Sequence, residues 1–141
     1  MIIKQISVFL EDKSGRLTQI TKILTQNDIN ITALSIADAT DYGIIRMIVG
    51  RPELAQKVLK EHGIAVQLTE VACMVIPNKP GGLHAALQIL TDHNINIDYL
   101  YAFADGNKAS VVIRSASITE AISVLQKNKM KLLQTSDIYQ L

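Results

Sequence analysis

The chain has 141 residues, 48% of them hydrophobic, with only 7 Gly and 3 Pro. That balance predicts a packed globular protein of one ordinary domain or two very small ones, and excludes a disordered chain. Its 14 basic and 13 acidic side chains set up no field of one sign, which argues against a general nucleic-acid or membrane-surface role.

Residues 3–11, "IKQISVFLE", alternate and are rich in β-branched side chains, so they read as a strand. In "DKSG" that follows, Asp12 and Ser14 are candidate helix N-caps. Leu17, Ile20, Ile23 and Leu24 recur at helical spacing, which predicts a helix to about Asn27. "NITALSIAD" reads as a second strand, "ATDYG" as a turn and "IIRMIVG" as a third strand. Pro52 suits a first helical turn, and "ELAQKVLKEHG" predicts a helix stopped at Gly63, with "IAVQL" as a fourth strand. The order β-α-β-β-α-β then recurs: strand 71–77, helix about 80–93, strand 96–104, turn "DGN", strand 109–114, helix 118–127 and strand 130–138.

The recurrence is literal, because 66 positions separate Gly15 from Gly81 and the same offset aligns much else. Lys13 meets Lys79, Leu17 meets Leu83, Ile29-Asn30-Ile31 meets Ile95-Asn96-Ile97, and Val58-Leu59 meets Val124-Leu125, all without a gap. The expected fold class is α+β: two ferredoxin-like βαββαβ units, each an antiparallel four-stranded sheet with two helices on one face. The expected division is 1–69 and 70–141, with no Gly/Ser/Pro linker between.

Strand parity predicts which face each side chain takes. Ile6, Val8 and Leu10 should face the helices, as should Ala72, Met74 and Ile76, with Leu34 and Leu100 marking the inner parity of the second strands. Ala33, Ser35 and Ala37 then lie outside in the first unit, and Tyr99, Tyr101 and Phe103 in the second. The aromatic stripe is expected to pack on protein, the sister unit or another copy. Stacking platforms for bases use central strands, whereas this stripe belongs to an expected edge strand.

The loops "DKSGRL" and "NKPGGL" carry the candidate chemistry. A glycine between strand and helix lets backbone approach a ligand, and the unpaired N–H groups at the helix start suit an anion. Asp12 or Asn78 can accept from an ammonium group, Lys13 and Lys79 supply charge, and Asn30 and Asn96 offer an amide donor and acceptor at the second strand. Such groups suit a zwitterion. Each residue also has a purely structural role open to it: a cap, a tight turn, or, for Asn30, a left-handed position after a helix.

Units of this order, with acid/Asn-x-x-Gly-x-Leu and then Asn-Ile at the second strand, resemble ACT domains, small ligand-sensing modules of amino-acid biosynthetic enzymes. The resemblance covers essentially the whole chain, as two tandem units with no catalytic domain attached. It implies an effector amino acid bound where two ACT units meet, between the first loop of one and the second strand of its neighbour. By position, that implicates Asp12, Lys13, Ser14, Gly15, Arg16 and Leu17 with Asn30, and Asn78, Lys79, Pro80, Gly81, Gly82 and Leu83 with Asn96. Serine-sensing members place a histidine two residues before the loop's Asn or Asp; Leu10 and Ile76 stand there, which puts serine in doubt.

Nothing points to catalysis, a metal or a cofactor. Cys73 lies mid-strand without a basic neighbour, and His62, His84 and His93 lack metal-ligand spacing. Walker, GxGxxG and nucleophile-elbow motifs are absent from the sequence. The lone cysteine, the missing membrane-length apolar run and a start without a basic n-region point to a cytoplasmic protein. The expectation is a regulatory sensor, a homodimer, with a biosynthetic enzyme as a further partner. The alternative is an interaction subunit that docks on such an enzyme without a ligand of its own.

Overall fold

The structure, a computed structural model, describes residues 1–11, 15–38 and 42–139, apart from the side chain of Asp38. Its elements run β1 (Ile3–Glu11), α1 (Arg16–Gln26), β2 (Ile31–Asp38), β3 (Tyr42–Val49), α2 (Pro52–Glu61), β4 (Val66–Pro77), α3 (Gly82–Asp92), β5 (Tyr99–Asp105), β6 (Lys108–Arg114), α4 (Ile118–Lys127), β7 (Lys131–Leu132) and α5 (Thr135–Tyr139). Two compact units result, each built on a βαββαβ pattern. One comprises Lys4–Thr69 with Ser136–Leu141, and the other Glu70–Thr135 with Met1–Ile3.

In the first unit β2, β3, β1 and the opening residues of β4 lie side by side, with β1–β3 and β2–β3 antiparallel. Ile6 and Val8 of β1 and their partners Met47 and Ile45 of β3 are fully buried. They pack with Ile20, Ile23 and Leu24 of α1 and Ala55, Val58 and Leu59 of α2 in one cluster. Each such aliphatic side chain contributes about 1.5–3 kcal/mol by leaving water. The second unit repeats the plan with β7, β4, β6 and β5. Its cluster joins Ala72, Met74 and Ile76 to Ala86 and Leu90 of α3 and Ala121, Val124 and Leu125 of α4. The parity read from the sequence therefore holds in both first strands.

Four helices end the same way, and here the repeat becomes visible in the backbone. Asp28 (φ 54°), Gly63 (φ 75°), Asn94 (φ 58°) and Lys129 (φ 62°) take left-handed conformations just past α1, α2, α3 and α4. Asp28 N–H bonds Thr25 O and Ile29 N–H bonds Leu24 O at 3.0 and 2.9 Å; the residues 66 positions on, Asn94 and Ile95, repeat both bonds. Gly63 and Ile64 after α2, and Lys129 and Met130 after α4, do the same. This is the Schellman ending, in which the apolar residue after the left-handed one folds back onto the core. The C-cap side chains complete it: Asn27 donates to Ile23 O, His62 to Val58 O, His93 to Ile89 O and Asn128 to Val124 O, each at 2.8 Å.

Two expectations need correction. The residues read as two strands, "IAVQL" and 71–77, form the single strand β4; no turn-forming residue interrupts Val66–Pro77. Residues 130–138 are not one strand: β7 is only two residues long, and α5 follows. The polar start Thr135-Ser136-Asp137 favours a helix, which turns Ile138 fully inside and brings Tyr139 Oη to Lys4, where it accepts from N–H at 2.9 Å. Leu34 pairs with buried Met47 and so keeps the inner parity read for it, yet it stays 41% exposed, because β2 is the last strand of its sheet.

Candidate functional site

Of the first loop, Asp12, Lys13 and Ser14 lie outside the described residues, as do the capping roles read for Asp12 and Ser14. Gly15 is the N-cap of α1, with φ 83°, and its carbonyl accepts from Gln19 N–H at 2.9 Å. Gly15 itself offers no side chain to cap this end. Arg16 lays its guanidinium along its own helix, donating to Gln19 Oε1 at 3.0 Å. Leu17 packs against the core cluster, so its place in the pattern is explained by the fold.

The second loop is described in full. Asn78, Lys79, Pro80 and Gly81 are exposed, Gly82 is buried and Leu83 packs on the core. Asn78 is tied to the β5–β6 turn: its N–H bonds Asn107 O at 2.9 Å and its Nδ2 bonds Gly106 O at 3.0 Å. Gly82 N–H closes a turn on Lys79 O at 3.0 Å. Gly81, with φ 87°, is the N-cap of α3, again without a side-chain cap. The first backbone bond of this helix runs from Ala85 N–H to Gly81 O, so the N–H groups of Leu83 and His84 precede the ladder and remain open to an acceptor. Partial positive charge collects there.

The asparagines lie elsewhere. Asn30 is exposed immediately before β2, and its carbonyl accepts from Gly50 N–H at 3.0 Å. Asn96 is exposed in the connection before β5, between buried Ile95 and half-buried Ile97. Neither takes the left-handed position considered for Asn30, which falls instead on Asp28 and Asn94. Loop and asparagine of one unit stand at opposite ends of one helix. An 11-residue helix such as α1 or α3 is about 16 Å long. A small zwitterion cannot bridge that length, so the loop and the asparagine of one unit cannot contact the same small ligand.

The remaining candidates resolve into structure. Cys73 is fully buried in β4, and burial pushes its thiol up to about 12, which leaves no nucleophilic thiolate near neutral pH. His62 and His93 cap helices. No group of three or more His, Cys, Asp or Glu able to hold a metal occurs among the described residues. Among them, too, no helix is long and apolar enough to cross a membrane. Sequence reasoning missed the tie from Asn78 to Gly106 and Asn107, which no spacing rule announces. It also missed the C-cap roles, although Asn27/His93 and His62/Asn128 fall on the same offset.

Two βαββαβ units, each opening its first helix on a left-handed glycine, are what a tandem pair of ACT domains looks like. The chain belongs to the ACT domain pair family, whose model matches residues 1–141. It is similar over 100% of its length, at 45% identity and a TM-score of 0.96, to 98% of a crystallised protein from Bacteroides thetaiotaomicron. It shares its fold with the regulatory subunit of aspartate kinase from Thermus thermophilus in ligand-free form (15% identity, TM-score 0.62, 89% of this chain and 93% of that one). The fold also matches E. coli aspartokinase III in complex with lysine and aspartate (14% identity, TM-score 0.56, 91% of this chain and 31% of that one). None of the curated proteins matches the chain.

Proposed function

We propose that this protein is a cytoplasmic, non-catalytic sensor that binds a small amino acid and reports it to a biosynthetic enzyme. The observation that carries the reading is the uncapped start of α3. There the open N–H groups of Leu83 and His84 meet an exposed glycine turn, with Lys79 four and five residues before them. A carboxylate satisfies those donors and the helix field together. The α-ammonium then needs an acceptor, and the same unit's asparagine is a helix length away. A second copy of the chain supplies it, through Asn30 or Asn96, so ligand binding and dimerisation are linked. The first loop, with Asp12, Lys13, Ser14, Gly15, Arg16 and Leu17, forms the corresponding half-site. A ligand with higher affinity for the assembled state shifts the population toward it, and that shift is the signal.

The likeness to an aspartokinase crystallised with lysine and aspartate supports an amino acid as the class of ligand. The test is a thermal-shift screen of the twenty amino acids. A ligand at a hundred times its Kd adds about 2.7 kcal/mol to the bound state, a readable rise in Tm. One amino acid is expected to raise it, and Asn96→Ala or Gly81→Val to weaken or abolish the response. No shift with any of them at millimolar concentration would sink the sensing reading and leave the docking subunit.

A further inference from the structure

A groove of about 370 Å³ is lined by Val75, Ile76, Pro77, Asn107, Lys108 and Lys131, none of them a residue of the second glycine loop itself. Its shape follows from register. Lys131 of β7 and Ser110 of β6 both pair with Val75 of β4, and Lys108 pairs with Pro77. Paired residues share a face of the sheet, and Val75 and Pro77 have the parity opposite to the core residues Met74 and Ile76. The groove therefore opens on the face turned away from α3 and α4. Val75 and Pro77 give it an apolar floor, and a lysine stands on each side of that floor, on two different strands.

Neither lysine makes an ion pair with the described residues; the acid nearest in register is Asp105, opposite Lys108, and no ion pair joins them. Two ammonium groups bordering one apolar floor offer an entering anion two positive partners. The volume falls at the small end of ligand sites, which combine apolar walls with a few placed polar groups. The geometry points to a second binding site, for a small amphiphilic anion. A phosphate monoester head sits between Lys108 and Lys131, and an apolar body lies on Val75 and Pro77. A dianionic head matches two monocations, and the Asn107 amide adds a donor beside it. Because Asn107 O also receives Asn78 N–H, an occupant would touch the rim that anchors the second glycine loop.

Phenyl phosphate is the probe, followed by NMR shift mapping on the full chain, with inorganic phosphate and phenol as the two halves of the ligand. Phenyl phosphate is expected to saturate with a Kd of about 1 mM or tighter. Inorganic phosphate should bind more weakly and phenol not measurably, and added salt should weaken binding. Lys108→Gln and Lys131→Gln, both on exposed residues, should each cost about tenfold in affinity. Any amino acid that raises the Tm of the wild type should raise that of Lys131→Gln equally, which separates this site from the glycine loops. The assignment is overturned if phenyl phosphate fails to saturate, if the double lysine variant binds it as tightly as the wild type, or if the shifts centre on Lys79–Leu83.

Discussion

Replacing Gly82 by alanine is the sharpest probe of how the second loop is built. A Cβ at this position would collide with the carbonyl oxygen of Pro77 and lie 3.3 Å from its carbonyl carbon. Both are backbone atoms at the end of β4, so no side chain can swing aside. Overpacking of this kind costs about 1–3 kcal/mol, and the rigidity of the obstacle puts Gly82→Ala at the upper end. Alanine's better helix propensity returns less than about 1 kcal/mol at this first helical position. The net expectation is about 2 kcal/mol of destabilisation. For a chain of this size that corresponds to roughly 5–8 °C in Tm, measured by calorimetry and checked by urea titration. Gly81→Ala is the control: nothing lies within 4 Å of its Cβ, and only the left-handed φ of 87° costs, about 1 kcal/mol. The offset places Arg16 opposite Gly82, so the first unit already carries a side chain at this point. A Gly82→Ala loss below about 0.5 kcal/mol, or one smaller than that of Gly81→Ala, would refute the close approach of loop to strand.

Lys129 holds a left-handed backbone where the repeat has Gly63, so Lys129→Gly should stabilise the protein by about 0.5–1 kcal/mol in urea titration; a loss of stability would contradict the shared helix ending. Cys73 should resist alkylation in the native protein near pH 8 and react once the chain is unfolded. Burial raises its folded pKa from 9.0 to about 12, so stability is fully present below pH 9 and declines from there to about 12, by about 1.4 kcal/mol per pH unit. Tyr139, also raised by burial, adds to the decline with the same sign, and Cys73→Ala should flatten the profile without abolishing its slope. Tyr139→Phe removes the hydroxyl that accepts from Lys4 N–H and should cost about 1 kcal/mol, seen as faster hydrogen exchange at Lys4.

The sequence made some of this legible and hid the rest for physical reasons. Ile6, Val8 and Leu10 announce their face because a half-buried strand alternates, and Leu17 to Leu24 announce a helix because one stripe of it is buried. The repeated residues 27–31 and 93–97 are mostly helix ending: Asn27 and His93 cap, Asp28 and Asn94 turn left-handed, Ile29 and Ile95 return to the core. What those apolar positions do is local, and so readable. Leu34 keeps its face but stays exposed, because alternation records a face and not its coverage. The segment 130–138 misled because its last residues join a unit made of residues far away in the chain, as the bond from the Thr32 hydroxyl to Ile138 O shows. For the candidate site, the glycine turns were visible, but the helix length that parts each loop from its asparagine emerges only when both ends of the helix are fixed.

The allotment of chain ends to units carries a consequence for synthesis. Ser136–Leu141 complete the unit made of Lys4–Thr69, and Met1–Ile3 complete the unit made of Glu70–Thr135. A ribosome adds about 5–20 residues per second and releases the chain from its N-terminus. The earlier unit therefore leaves the exit tunnel whole in its sheet and both helices, yet waits for α5 until the later unit has also been made. During that interval the surface that receives Ile138 stays open to solvent and to chaperones. Residues 1–69 expressed alone would be held permanently at that stage.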